Sequence, residues 1–405
     1  MVPPARGTIP DLSTDSKLKE WASSLLVEQG VIKSSEEVQT ATLRSLTDHP
    51  GLSSSLQVLA INYAGDAKKS YPPTFILKRN REGAQGAVKY GGSWREAAFL
   101  ADYSVALSPT SPRCYYCGWS EQEGEFLILM DDIPERAGFE EKKCVALNEV
   151  LGNQDTVLKG DVEKQARYVR EAFKTAARLH AVNWCNDDLK KMEYLKGWSW
   201  YTGIDEAKWR GSISLAKMGF SAGSEKIAWN SNLHQLLSDA FENSTYQAFC
   251  EHLQRKPFTL CHGDWHASNM FMVEGATVNT VCFDWSEVGI FEPCGDLGQL
   301  VISDVRPEIF RKHSREWVEE YWACLRESVQ SRGVSFDYSL ENCWEDYQQR
   351  AIEKWSWLLC VLLLYPLPAA RLQYFHDQLS SFLDHHGWPE KVELKSVVIL
   401  PPSRS

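Results

Sequence analysis

The sequence predicts an α+β protein in two parts: a small five-stranded antiparallel lobe with one inserted helix, then a larger, mainly helical lobe. Three observations predict it. Five runs rich in β-branched and aromatic residues, "VQTATLRSL", "SLQVLAINYA", "PTFILKR", "RCYYCGW" and "EFLILM", crowd the first third of the chain and are separated by turn-forming stretches. From "DDIPERAGFEE" onward the pattern changes to long amphipathic helices. A length of 405 residues exceeds the size at which one hydrophobic core keeps growing, so two cores are expected.

Taken in order, "DSKLKEWASSLLVEQG" opens with capping residues, places Leu18, Trp21 and Leu25 on one helical face, and stops at Gly30. Three strands follow, broken by "TDHPGLSS" and "GDAKKSYP". The helix "SWREAAFLADYSVAL" comes next, with Ser93 as its cap and Glu96 three residues later, the spacing of a capping box. Two more strands close the small lobe. Helices are then expected over 161–184, 231–255, 306–331, 340–364 and 367–386, with strand signals only at "MFMV" and "TVCFDW". The boundaries read from this are 1–34 for an N-terminal helical extension, 35–132 for the β-rich lobe, and 133–405 for the helical lobe.

Composition excludes several classes. With 43% hydrophobic and 24% charged residues the chain is globular, and a net charge of −11 without basic clusters argues against nucleic acid as a partner. The most apolar run, "WSWLLCVLLLYPLP", is shorter than the roughly 20 residues a membrane span needs, so it reads as a buried helix and no membrane partner is expected. The 11 scattered cysteines fit reduced thiols and a cytoplasmic setting, and the lone C-x-x-C of "CYYC" suits a strand better than a metal.

The chemistry concentrates in "HGDWHASNMF", residues 262–271. His262, Asp264 and His266 could ligate a metal, Asp264 and Asn269 could serve phosphoryl transfer, or the run could be a polar loop. Geometry narrows the choice. Asn269 stands just before "MFMV", a turn at "EGAT" reverses the chain, and "VNTVCFDW" cancels the outward displacement of about 13 Å, bringing Asp284 back beside Asn269. Oxygen-bearing side chains so placed, with Asp264 on the loop before them, suit a hard cation such as Mg²⁺ whose remaining ligands come from a nucleotide. In phosphoryl transfer one Asp accepts the proton of the attacking hydroxyl while an Asn and a second Asp hold metal, and an upstream Lys–Glu ion pair places the phosphates. Lys78 in "FILKRN" and Glu96 in the following helix fill those places.

The chain resembles the aminoglycoside phosphotransferase and choline-kinase-like family of small-molecule kinases. "FILK", "REAAFL", "FLILMDDI", "AARLHAVNW", "HGDWHASNMF", "FDW" and "GDLGQL" carry the resemblance, in the family's order, across residues 40–300. It implies a bilobal protein-kinase-like fold with a nucleotide-binding lobe over 35–132, and ATP and Mg²⁺ as cofactors. It also implies Asp264 as catalytic base, Asn269 and Asp284 as magnesium ligands, Lys78 on the phosphates and Glu96 orienting Lys78. "LILMDDI" would be the hinge, with backbone at Asp131 and Ile133 against adenine. The first turn lacks a full Gly-rich pattern, so Ser53, Ser54 and Ser55 would cover phosphates instead. "HGD" for H-R-D, "FDW" for D-F-G and the lack of A-P-E favour a small hydroxylated metabolite as acceptor.

Other readings are weaker. A hydrolase metal site of His262, Asp264 and His266 lacks the leading histidine pair of a zinc signature. A catalytically inactive scaffold would be marked by loss of Asp264 or Lys78, and both are present. His262 is expected to brace the loop through its ring, His180 to be a core histidine, and Asp296 to cap its helix and anchor the loop. Trp184, Trp198, Trp200, Trp209 and Trp229 would suit a cationic amino alcohol, though aromatics in a helical insertion usually build core.

Overall fold

In the computed structural model, which describes residues 2–46, 54–65, 71–81, 83–85, 92–152, 161–195, 206–252 and 257–394, the five β-rich runs are strands. They are β2 (Val38–Ser45), β3 (Ser54–Tyr63), β4 (Thr74–Asn80), β5 (Cys114–Ser120) and β6 (Glu125–Asp131). Short strands without periodicity of their own are added: β1 (Ala5–Gly7), β7 (Lys143–Ala146), β8 (Thr259–Cys261) and β11 (Gly289–Phe291). The expected pair from "MFMV" and "TVCFDW" is β9 (Met270–Glu274) and β10 (Val278–Cys282). Segments of three or four residues are held by neighbouring backbone rather than by their own pattern, which is why alternation does not announce them.

The chain divides into two compact units, one built from Met1–Val145 and Phe271–Ser286, the other from Ala146–Met270 and Glu287–Leu400. The first carries a sheet of six strands in the order β1-β5-β6-β4-β3-β2. Five are antiparallel as expected. The count of five is corrected by β1, which pairs parallel with β5, Ala5 opposite Tyr116 and Gly7 opposite Gly118. Arg6 ties this edge down by donating to the Ala101 carbonyl at 2.7 Å.

Period-2 alternation decides what each face of the sheet meets. Phe75 and Leu77 of β4, with Leu127 and Leu129 of β6, turn toward helix α1 (Asp15–Glu28), whose Leu18, Ala22, Leu25 and Leu26 complete one core. Trp21 packs at its margin, edge-on to Tyr116. Lys78, one residue on from Leu77, must point to the opposite face. Helix α2 (Arg95–Tyr103) packs against β5, with Arg95 through Ala101 all buried. The expected Ser93 cap is not formed: Trp94 is the N-cap residue and makes no side-chain bond, because the helix grows out of a turn in which the Ser93 carbonyl accepts the Glu96 N–H at 3.3 Å. Helix α3 (Ile133–Phe139) leads into β7, which joins β9 and β10 in a three-stranded sheet of order β10-β9-β7.

The second unit is mainly helical: α4 (Val162–His180), α5 (Glu206–Gly223), α6 (Ser231–Asn243), α7 (Tyr246–His252), α8 (Cys294–Asp304), α9 (Pro307–Gln330), α10 (Leu340–Leu362) and α11 (Ala369–His386). The single helix expected over 231–255 is two, because Ser244 leaves helical backbone and turns its hydroxyl onto the Ala240 carbonyl at 2.6 Å. Helix α8, expected to follow Asp296, begins two residues before it at Cys294. It is buried over nearly its whole circumference, polar residues included, so it shows no solvent-exposed face. Gly298 lets α8 approach α10, since a Cβ there would lie 2.3 Å from the Ala351 Cβ. The apolar run of α10 is buried at Trp355, Leu359 and Cys360, and no described helix is long and apolar enough to cross a membrane.

His386, at the end of α11, makes acid stability testable. Burial, then His385, holds its imidazole down at about 3 from an ordinary 6.5, and its Nδ1 accepts from Gln348 Nε2 at 3.0 Å. A depressed folded value contributes stability that is complete above the unfolded value and is lost as pH falls toward the folded one. Stability should therefore drop by on the order of 1–2 kcal/mol between about pH 6.5 and 5. In His386→Gln that slope should flatten in denaturant titrations; an unchanged slope would assign the acid sensitivity elsewhere.

Candidate active site

In the first unit, Lys78 projects from β4 onto the face that α2 covers. Its ammonium lies 2.7 Å from Glu96 Oε2 and 2.7 Å from Asp284 Oδ1. The lysine and glutamate side chains are 6% and 2% exposed, that of Asp284 39%. Burial alone would favour neutral Lys78, but Asp284 and Glu96 hold its proton well above the usual lysine range. Glu96 is fixed from the other side by the Trp285 N–H, which donates to Oε1 at 3.1 Å, and Trp285 Nε1 donates to Ser111 Oγ at 3.1 Å. Asp284 itself has φ +64, a left-handed backbone that non-glycine residues adopt at a cost. The Lys–Glu pair expected from the sequence is formed, with Asp284 as its third member.

In the second unit, β8 pairs antiparallel with β11 and delivers the chain into residues 262–269. Gly263 takes φ +82 there. The Asp264 carboxylate receives three side-chain donors: Gln299 Nε2 to Oδ1 at 2.6 Å, Asn269 Nδ2 to Oδ2 at 3.1 Å and His266 Nε2 to Oδ2 at 3.2 Å. Burial pushes its proton affinity up, but His266, then His262 and Lys354, hold it well below the ordinary carboxylate range. Asp264 is thus an ionised acceptor, with a side chain 34% exposed. Asn269 ends a 3-10 turn (Ala267–Asn269) and directly precedes β9, while Asp284 follows β10 by two residues.

The loop is braced by residues that the sequence reading missed or placed differently. Asp296 does not cap α8, whose N-cap residue is Pro293. It accepts the backbone N–H of His262 at 2.9 Å and of Gly263 at 3.1 Å, so only its anchoring role stands. Asp304, at the far end of α8, accepts the Ala267 N–H at 2.9 Å, and Lys354 of α10 donates to the Gly263 carbonyl at 2.8 Å. Gln299 and Asp304 lie three and eight residues beyond Asp296, on one side of a helix; that spacing within "GDLGQLVISD" was the available signal. Lys354 belongs to no motif. His262 is buried and its Nδ1 accepts the Asp264 N–H at 3.3 Å, a brace of the loop through the ring.

The remaining candidates divide. Ser54 is buried at the start of β3 with Ser55 beside it, opposite Asn80 and Arg79 of β4; Ser53 lies outside the described residues. The Asp131 N–H donates to the Arg113 carbonyl at 2.9 Å, and Ile133 opens α3. Trp184, Trp209 and Trp229 sit in three separate ring groups, with Phe336 and Tyr338, with Tyr246 and Phe249, and with Phe220 and His376; Trp198 and Trp200 lie outside the described residues. The ring nitrogens of His266 are turned to the loop itself, Nε2 to Asp264 and Nδ1 to the Ser268 N–H. Among the described residues, potential metal ligands converge instead at buried His180, Cys261 and Asp296, within 4.8 Å of one another. That cluster is internally satisfied: His180 meets Tyr321 at 2.8 Å and Asp296 at 3.4 Å, and burial pushes the Cys261 thiol far up. His180 is the core histidine expected.

Residues 63–328 match the family model described as "Phosphotransferase enzyme family". Among solved structures, the chain is similar to choline kinase from Cryptosporidium parvum Iowa II, with 10% identity and TM-score 0.46 over 90% of this chain and 94% of that one. It is similar to a putative aminoglycoside phosphotransferase from Ralstonia eutropha JMP134, with 10% identity and TM-score 0.47 over 90% and 97%. A third is amicoumacin kinase in complex with AMP-PNP, Ca²⁺ and Ami, with 12% identity and TM-score 0.45 over 92% and 98%. No curated protein matches the chain. On the family match, which runs from the end of β3 into the last turn of α9 and includes Lys78, Glu96, Asp264, Asn269 and Asp284, the chain belongs to the phosphotransferase enzyme family.

Proposed function

We propose that the protein is an ATP- and Mg²⁺-dependent phosphotransferase that phosphorylates a hydroxyl group of a small metabolite, with Asp264 as the base. The observation that carries the reading is the buried Lys78 ammonium held between Glu96 and Asp284, an expensive arrangement that a purely structural sheet face has no use for. Membership of the phosphotransferase family supports the reaction class.

The residues fit the cofactor. Asn269 uses its amide nitrogen on Asp264, at 3.0 Å to the backbone carbonyl and 3.1 Å to Oδ2, so its carbonyl oxygen is the atom available as a ligand. Asp284 carries two carboxylate oxygens, one of which meets Lys78. Oxygen donors of this kind suit a hard cation, and Asn269 and Asp284 would hold it. Magnesium, when bound, supplies charge neutralisation on the phosphates. Lys78 would bind phosphate oxygens, with Glu96 keeping it in place. Ser54, Ser55, Asp131 and Ile133, in a nucleotide-binding segment over 35–132, would line the nucleotide. Asp264 accepts the hydroxyl proton as the acceptor oxygen bonds to the γ-phosphorus and ADP leaves.

The test is ADP release from MgATP over pooled hydroxylated metabolites, cationic amino alcohols included, with Asp264→Asn as the blank. Release that the variant supports equally well would sink the reading. Asp284→Ala should abolish magnesium-dependent nucleotide binding in calorimetry, and retention of that binding would remove Asp284 from the metal site.

A further inference from the structure

We infer that Gln299 is a positioning residue that leaves Oδ1 of Asp264 as the atom receiving the acceptor's proton, an inference that rests on the reading of Asp264 as the base. A carboxylate offers about two lone-pair sites on each oxygen. On Oδ2 both are taken. Asn269 Nδ2 donates at 3.1 Å, and His266 Nε2 lies at 3.2 Å. The tautomer of His266 follows from its other nitrogen: Nδ1 accepts the Ser268 N–H at 3.2 Å, so in the neutral ring the proton sits on Nε2 and points at Asp264. On Oδ1 the described residues supply one side-chain donor, Gln299 Nε2 at 2.6 Å, which leaves a lone pair there for the substrate.

The orientation of the Gln299 amide is decided by its partner, because turning Oε1 inward would set two acceptors 2.6 Å apart. The residue is 3% exposed and its Oε1 has no partner among the described residues. The amide is therefore held in place for what its nitrogen does. Its helix reinforces this. Asp296 and Asp304 of α8 pin the backbone on either side of the base, at His262, Gly263 and Ala267, while Gln299 between them meets the reacting carboxylate itself. In the transfer step the hydroxyl proton passes to Oδ1, its oxygen bonds to the γ-phosphorus, and the bond from that phosphorus to the departing ADP oxygen breaks.

The test measures ADP release from MgATP with water as the acceptor, on the full chain, for wild type, Gln299→Met and Gln299→Glu, with thermal melting alongside. Gln299→Met has similar length and no donor; kcat should fall about 10- to 100-fold with KM for ATP unchanged. Gln299→Glu supplies the sharper readout and stands in if the methionine variant fails to fold. A protonated Glu can donate to Oδ1, and an ionised one cannot, and the adjacent Asp264 charge raises its pKa. Its kcat should be highest at low pH and fall as pH rises through that pKa, over a range in which wild type stays flat. A packing role alone would shift the melting temperature and leave the pH profile flat. Active wild type with wild-type kcat in Gln299→Met and a flat profile in Gln299→Glu overturns the inference and leaves the functional reading standing. Wild type that releases no more ADP than Asp264→Asn, with water and over the pooled hydroxylated metabolites alike, overturns the functional reading, and the inference with it.

Discussion

Asp264→Asn should lower turnover by about 10²- to 10⁴-fold, the range general-base assistance contributes, while nucleotide affinity stays within a few-fold of wild type. The substitution removes the ionised acceptor and keeps the shape of the side chain. The loop should survive it. An Asn oxygen can still accept from Asn269 and His266, and the new amide nitrogen would face Gln299, which can flip to present its otherwise unpartnered Oε1. Asp264 is held far below the ordinary carboxylate value despite burial, by His266 first and then His262 and Lys354. A depressed value means the ionised form persists as pH falls below the unfolded value of about 3.9. Wild-type kcat should then show no ionisation of this group between about pH 5 and 9. Turnover in Asp264→Asn equal to wild type, measured with the same acceptor, would remove Asp264 from the chemistry.

Gly263→Ala should be the most damaging single methyl group in the catalytic loop. Gly263 sits at φ +82, and a Cβ there would lie 2.1 Å from the Glu287 carbonyl oxygen, a backbone atom that has no rotamer to escape through. Two costs therefore add. The left-handed backbone costs an L-residue about 1–2 kcal/mol, and relieving the overlap moves either the loop or the backbone at Glu287. Gly333 supplies the control, because it has φ +73 with nothing within 4 Å of its Cβ. Gly333→Ala should lower stability by about 1 kcal/mol, and Gly263→Ala by several, with kcat down by about 10²-fold or more because the displaced residue adjoins the base. Equal melting temperatures for the two variants would mean that the contact with Glu287 imposes no penalty.

Much of this was legible in the chain itself. The five antiparallel strands follow from β-branched and aromatic runs set between turns, and the two-residue period of a strand sends Lys78 to the face opposite Leu77 and the α1 core. "HGDWHASNMF" and "FDW" drew attention because they set oxygen and imidazole groups at either end of a strand pair, which left phosphoryl transfer, metal ligation and a polar loop as the readings to weigh. The second contact of Lys78, to Asp284, joins residues 206 apart, and only the fold could deliver it. The role of Glu96 was visible, but its capping role was not available, since the buried carboxylate is already held by Lys78 and Trp285.

Local sequence determined the element types, the sheet's two faces and which polar residues stand as candidates, because each depends on a period of two or 3.6 residues or on side-chain chemistry. Tertiary structure alone decided how the Asp264 carboxylate is held. Helix α8 is buried on nearly every side and so lacks the exposed face that marks a surface helix, yet its Asp296, Gln299 and Asp304 fix the loop of residues 262–267, and Lys354 reaches the same loop from α10. Those bonds span 33 to 91 residues, and a contact between distant segments leaves no mark in either segment's own pattern.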